Sequence, residues 1–432
     1  MTILLSLILW IILIVLLAAL AGMAYSAVLA AHCVDPPGHG EEHYVETLDF
    51  WKIRLRRFQA CGGPGEPVLL VHGLNANGNN FTRPVGHSMV DWLSARGYDC
   101  WVIDVRGTRY TVPPEGRSRN EITIDDFVYY DLPAALEYIR SRTGYDRVHW
   151  VGHSLGGALL YMYVLAHGED RITSGVTLGA PVTFEDAIRD VPLWLFDLAI
   201  RLPRFGGEMI RSLIPFARHI PPLAQAFPVN PANIHPRMTL ADLYSMLDDP
   251  APEVHRQILR WTRDGQIVLR SETVNVTREY PRISVPLLAF FAAHDPFVSM
   301  SQADRFMSDI QSRDKKMVVC GRAQGFFEDY NHCDLAFSVR GEEEIFGPIA
   351  AWFAAHPCTG TPSGSIGVSE PPDGATDNPE TESAEGGVVK PHVPRRRSRK
   401  TAVKEASEPA EQYGPSEQAE SSEPSAEDSG QA

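Results

Sequence analysis

Five residues constrain this chain more than any others: Gly152-His153-Ser154-Leu155-Gly156, set between the apolar run RVHWV (147–151) and the helix-forming run LGGALLYMYVLA (155–166). A buried strand that turns directly into a helix needs a sharp reversal, and Gly152 and Gly156 let the two elements approach without a Cβ between them. Such a turn holds the Ser154 hydroxyl out at the carboxyl end of the strand. The start of the helix brings free backbone N–H groups and the positive end of its dipole to the same place. A serine in an ordinary glycine-rich turn has neither neighbour, so the context carries the signal.

Apolar runs at 67–73, 99–105, 147–152, 174–180, 285–292 and 315–320 read as further buried strands, and helical periodicity fits 125–142, 155–167 and 343–355. These runs are continuous rather than alternating, as expected of strands covered on both faces. The pattern predicts an α/β domain with a mostly parallel central sheet flanked by helices. Lys52, Arg54, Arg56 and Arg57 alternate with apolar residues and read as a strand. The core is expected over 42–182 and 285–357, with a cap or lid inserted at 183–284.

A serine hydroxyl is a weak nucleophile at neutral pH. An imidazole must take its proton, and a carboxylate must hold that imidazole in the right tautomer. Downstream of Ser154, Asp295 falls just past the buried run VPLLAFFA, and His332 lies in the polar loop Tyr330-Asn331-His332-Cys333-Asp334 after the next strand. The order serine, acid, histidine, each after a later strand, makes Ser154, Asp295 and His332 the candidate catalytic set. Asp334 and Asp329 are rival acids, and His294 a rival base that precedes rather than follows its acid. His153 is read as a packing residue. Asp104 precedes the serine and is read as bracing a turn with Arg106. The oxyanion donors are expected to be the backbone N–H groups of Leu155 and of Leu74, the latter in the loop Val71-His72-Gly73-Leu74.

These residues resemble those of the α/β-hydrolase superfamily, and within it the acid lipase family that includes lysosomal and gastric lipases. The likeness runs from His43-Tyr44-Val45-Glu46-Thr47 through the HGL loop, Gly97-Tyr98-Asp99-Cys100-Trp101-Val102 and Arg106-Gly107-Thr108. It continues in Tyr130-Asp131-Leu132-Pro133-Ala134, the serine turn and the Asn331-His332 loop. Two positions depart: Leu155 stands where that family usually has Gln, and Gly157 where it has a small polar residue. The resemblance implies an α/β-hydrolase fold and hydrolysis of carboxylic, lipid-like esters through an acyl-enzyme at Ser154, with no cofactor and no metal. Acyl transfer on the same three residues, and a non-catalytic scaffold on the same fold, are the alternatives.

The remaining segments bear on partners. Residues 3–31 carry no charge and exceed the roughly 20 apolar residues that span a bilayer, predicting a single-pass membrane anchor. A cleavable signal peptide is the rival reading, but it would show a basic start and a shorter apolar stretch. Within the insertion, the apolar stretch from Val191 to Phe216 suits either a lid over an acyl pocket or helices packed on the core. Residues 359–432 are rich in Glu, Ser, Pro, Gly and Ala and are expected to be disordered, the basic run Arg395–Lys400 included. The formal net charge of −15 argues against a nucleic-acid partner, which calls for a basic face. The six cysteines are scattered, with no metal-ligand spacing.

Overall fold

The computed structural model describes residues 39–184, 228–249, 251–270 and 273–358, together with Arg211 and part of the stretch 10–33. The apolar stretch from Val191 to Phe216, Arg211 apart, and the tail 359–432 therefore lie outside the described residues, as does much of 3–31. Among the described residues no helix is long and apolar enough to cross a membrane.

Among the described residues ten strands form: β1 (Glu41–Glu46), β2 (Lys52–Phe58), β3 (Glu66–Val71), β4 (Tyr98–Asp104), β5 (Val148–His153), β6 (Ile172–Leu178), the short β7 (Val268–Leu269) and β8 (Val274–Asn275), β9 (Leu287–Ala292) and β10 (Lys315–Cys320). Eight of them make one sheet in the order β1-β2-β4-β3-β5-β6-β9-β10. The first two pairings are antiparallel and the other five parallel. The main helices are α1 (Met89–Ser94), α2 (Leu132–Thr143), α3 (Leu155–His167), α4 (Leu240–Ser245), α5 (Pro252–Asp264), α6 (Met300–Asp309) and α7 (Gly347–Ala355). All six apolar runs are strands, displaced by no more than a few residues, and the helix expected at 155–167 is α3.

Helix layers cover both faces of the sheet, which is why its central strands β3, β4, β5, β6 and β9 are mostly apolar. Leu69, Trp101 and Trp150 face one core with residues of α2 and α3. Val68, Leu70, Cys100 and Val102 face the other with Leu93 of α1 and Phe353 of α7. The helix expected at 125–142 contains one wide turn, Phe127–Asp131, before α2 begins. That turn leaves Asp131 fully buried beside Arg106.

Charge placement corrects one local expectation. The strand expected from Lys52, Arg54, Arg56 and Arg57 is β2, and its Arg54 and Arg56 are buried, with the Asp104 carboxylate at the end of β4 beside Arg54. Arg54 Nε donates to Asp104 Oδ2 at 2.9 Å, and the other oxygen accepts from Gly78 N at 2.8 Å. Asp104 thus braces a turn with Arg54 rather than with Arg106. Arg106 instead donates to Asp131 and Asp49 at 2.6–2.9 Å.

Candidate active site

Ser154 sits between β5 and α3 with φ 54 and ψ −123, a left-handed conformation that L-residues rarely hold without a surrounding structure that enforces it. The enforcement is steric. A Cβ at Gly152 would lie 2.3 Å from the Gly156 carbonyl oxygen, and one at Gly156 would lie 2.0 Å from that of Val71. Trp150 Nε1 donates to the same Gly156 carbonyl at 3.1 Å, and Ser154 N donates to Leu178 O at 2.8 Å. Strand, turn and helix are locked together at the point where the serine stands.

Asp295 and His332 come together. His332 Nδ1 donates to Asp295 Oδ2 at 2.8 Å, and the two side chains are only 4% and 1% exposed. Asp295 Oδ1 accepts from Phe297 N at 2.9 Å, and the Phe297 ring packs edge-on against His332. Because the carboxylate can only accept, Nδ1 carries a proton, and in the neutral imidazole Nε2 is then the nitrogen with the lone pair. Gly179, just past β6 with φ +60, abuts the pair: a Cβ there would lie 3.1 Å from both Asp295 Oδ2 and His332 Nδ1. That glycine carries no recognisable sequence signal, because its constraint comes from two loops distant in the chain.

The rival residues are placed elsewhere. Asp334 accepts from Asn331 N, Asn230 N and Asn233 Nδ2, and so shapes the histidine loop rather than the imidazole. Asp329 receives Arg322 N, and the exposed His294 faces Asp329 at 3.7 Å. His153 is buried as expected, but it also ties the two loops, its Nε2 donating to the His332 carbonyl at 3.0 Å. Burial pushes its pKa down to about 3, so it keeps that neutral donor form.

The loop after β3 is held just as firmly. Val105 N donates to His72 Nε2 at 3.3 Å, so His72 carries its proton on Nδ1 and donates it to Gly73 O at 2.8 Å. Burial lowers its pKa and keeps it neutral. His72 therefore fixes the peptide that carries the Leu74 N–H. A Cβ on Gly73 would come within 2.8 Å of the Ser154 Cβ, so this loop runs against the serine. Leu155 is the first residue of α3, and its N–H has no acceptor within the helix.

At the opposite ends of the strands, Glu66, His149 and Cys358 bring potential metal-ligand atoms within 4.8 Å of one another. Each is engaged by hydrogen bonds: His149 Nε2 to Glu66 at 2.9 Å, Cys358 N to the same oxygen at 3.0 Å, and Ser174 Oγ to His149 Nδ1. Burial pushes the Cys358 thiol up to about 12, so it is protonated and the cluster fastens the segment after α7 to the sheet.

Asp334 supports a pH prediction. Its burial raises the carboxyl from the ordinary 3.8 to about 7. Between those values the folded chain holds a proton that the unfolded chain has lost, so this group's contribution to stability falls as pH rises through that window. Asp334→Asn removes the titration. The melting temperature of the variant relative to wild type is expected to be higher at pH ~8 than at pH ~5, and an identical difference at both would contradict the assignment.

The family model described as alpha/beta hydrolase fold matches residues 66–330. The chain belongs to that family. Within it the chain is similar to acid lipases: it is 31% identical over 159 residues to triacylglycerol lipase 2 of Arabidopsis thaliana, covering 33% of this chain and 38% of that one. It is 31% identical over 128 residues to human lysosomal acid lipase/cholesteryl ester hydrolase, covering 27% and 32%. The matches thus span well under half the length of these two relatives. Among solved structures, an esterase from Exiguobacterium antarcticum aligns with a TM-score of 0.49 and 18% identity, over 73% of this chain and 100% of that one.

Proposed function

We propose that this protein hydrolyses carboxylic esters of lipid-like character through an acyl-enzyme at Ser154. The observation that carries the reading is the buried His332–Asp295 pair, joined through Gly179 and His153 to the strained turn that bears Ser154. His332 Nε2 takes the Ser154 proton as Oγ attacks the ester carbonyl, and the resulting oxyanion accepts from the Leu74 and Leu155 N–H groups. The tetrahedral intermediate collapses, the carbon–oxygen bond to the alcohol breaks, and His332 gives its proton to the leaving alkoxide. Water then repeats the sequence on the acyl-enzyme, releasing the acid and restoring the serine. Asp295 stays ionised and holds the imidazole tautomer throughout. The similarity to enzymes named as lipases supports the ester class.

A fluorophosphonate reagent tests the reading, because it reacts only with an activated serine. Wild type is expected to be labelled, and Ser154→Ala and His332→Ala are not. Equal labelling of wild type and Ser154→Ala would refute it.

The uncharged run 3–31 further suggests attachment to a bilayer, and its described side chains Trp10, Ile14, Leu17 and Leu20 are exposed. Alkaline carbonate is expected to leave the full chain in the membrane pellet and to release a form lacking residues 1–33. Release of both would remove this part of the proposal.

A further inference from the structure

The end of the sheet that carries Ser154 bears two apolar features that the reaction does not use. The first is the turn between β1 and β2, which lies at this end because β2 begins beside the end of β4, with Arg54 opposite Asp104. Leu48 is 85% exposed and Phe50 67%. Val112, whose N–H and carbonyl both pair with Lys52, adds another exposed apolar side chain close to the turn. The feet of the turn, Thr47 and Trp51, are buried and fixed. Phe50 N donates to Thr47 O at 2.9 Å, Trp51 N to Thr47 Oγ1 at 3.1 Å, and Thr47 Oγ1 to Asp49 Oδ1 at 2.6 Å. Arg106 clamps Asp49 in its turn. Phe50 holds φ 66, a conformation that a bulky L-residue keeps only where its surroundings impose it. The fold therefore spends strain on holding an aromatic ring out in water, beside an exposed leucine.

The second feature identifies the partner. The helical stretch that carries the uncharged N-terminal run meets the domain at this same end. Leu29 and Cys33 are buried against Tyr244 and Ala241 of α4. The segment after α4 is bound to the loops that follow β3 and β4: Asp248 N donates to Asn75 O at 2.8 Å, and Arg109 N to Asp248 Oδ1 at 3.1 Å. Arg109 stands three residues before Val112, so the helix contact and the exposed turn are joined through one loop. Every described residue from Trp10 to Val28 is exposed, Leu13, Ile14, Leu17 and Leu20 among them. The described part of this stretch thus touches the domain only near its end, and its uncharged remainder stands clear.

We propose that the Leu48–Phe50 turn, with Val112 beside it, is a second contact with the lipid bilayer, and that it sets the end of the sheet bearing Ser154 against the membrane surface. The run 3–31 holds one point of that end at the bilayer, and the turn supplies another. Leu and Phe side chains on a rigid support enter the acyl boundary without the ordering cost that a flexible loop would carry. An ester dissolved in the bilayer then reaches Ser154 directly from the lipid. The inference rests on the bilayer reading of residues 3–31 and deepens it.

The test places the full chain in phosphatidylcholine vesicles that contain a phospholipid with a photoreactive diazirine on its acyl chain. After irradiation the lipid adducts are mapped by fragment mass spectrometry. Adducts are expected both on the run 3–31 and on the peptide spanning Leu48 and Phe50. Leu48→Asp/Phe50→Asn is expected to lose the second set. Asn tolerates the positive φ, so this variant is expected to unfold at no lower urea concentration than wild type. Its rate on a water-soluble ester should match wild type, while its rate on an ester dissolved in the vesicles falls about tenfold, the scale of withdrawing one large apolar side chain from lipid. Adducts confined to the run 3–31, or an equal effect of the variant on both esters, overturns the contact at the turn alone. Dimerisation that the variant abolishes, with no adduct at the turn, gives the patch to a second copy and overturns it as well. A full chain that does not float with the vesicles overturns the bilayer reading and this contact together. Adducts at the turn of a chain that hydrolyses neither ester support the contact and refute only the hydrolase reading.

Discussion

Ser154→Ala is expected to lower ester turnover by about four to six orders of magnitude, because nucleophile and base act as a unit. His332→Ala should cost about as much, and Ser154→Ala/His332→Ala no more than either alone. Asp295→Ala should fall short of them, near ten-thousandfold, since it disturbs the tautomer and orientation of His332 rather than removing a reacting atom. Near-additive losses in the double variant would contradict the shared proton transfer. Stability moves the other way: at φ 54 and ψ −123, Ser154→Gly relieves a conformation that costs an L-residue about 1–3 kcal/mol. That inactive variant is expected to unfold at a higher urea concentration than wild type. An inactive but less stable Ser154→Gly would mean that the turn is not strained.

The largest expected effect on folding belongs to Arg106. Its guanidinium is 2% exposed and donates to Asp131, which is wholly buried, and to Asp49. Burial raises the Asp131 carboxyl to about 7 against the pull of that guanidinium, so the carboxylate depends on Arg106 to remain charged. Arg106→Ala leaves it unpaired in the core and is expected to destabilise the domain by about 3–5 kcal/mol in urea unfolding. Replacing both partners with apolar residues of similar volume, as in Arg106→Met/Asp131→Leu, should recover much of that loss, since a buried pair is costly chiefly when broken. A single variant within about 1 kcal/mol of wild type would show that the cluster contributes no more than an exposed ion pair.

Those two regions mark what could and could not be read in the sequence. The serine turn was legible because all its determinants are local: an apolar strand, two glycines and an apolar helix within about twenty residues. The parallel strands were legible because burial on both faces leaves a continuous apolar run. Asp295 and His332 could be found because each follows such a run in the expected order. The alternation of charged and apolar residues made β2 legible as a strand, but not the burial of Arg54 and Arg56 within it. Their burial depends on Asp104, fifty residues from Arg54, arriving at the end of the adjacent strand. The same long-range pairing made Asp131 the partner of Arg106 and gave Asp104 to Arg54. Gly179 and the His153–His332 bond were illegible for a related reason: each exists only where separate loops meet. The loop Val71-His72-Gly73-Leu74 was readable as the place of an oxyanion donor, but the role of His72 in fixing the Gly73–Leu74 peptide depends on the Val105 N–H that sets its tautomer.

Trapping the acyl-enzyme is the most direct test of the central claim. The full chain is mixed with a p-nitrophenyl ester, quenched in acid during the first turnover, digested and mapped by mass spectrometry. The expected result is a burst of p-nitrophenol matched by one acyl group on the peptide containing Ser154, and neither in Ser154→Ala. Turnover with the acyl group on another residue, or a burst that survives in Ser154→Ala, would contradict it.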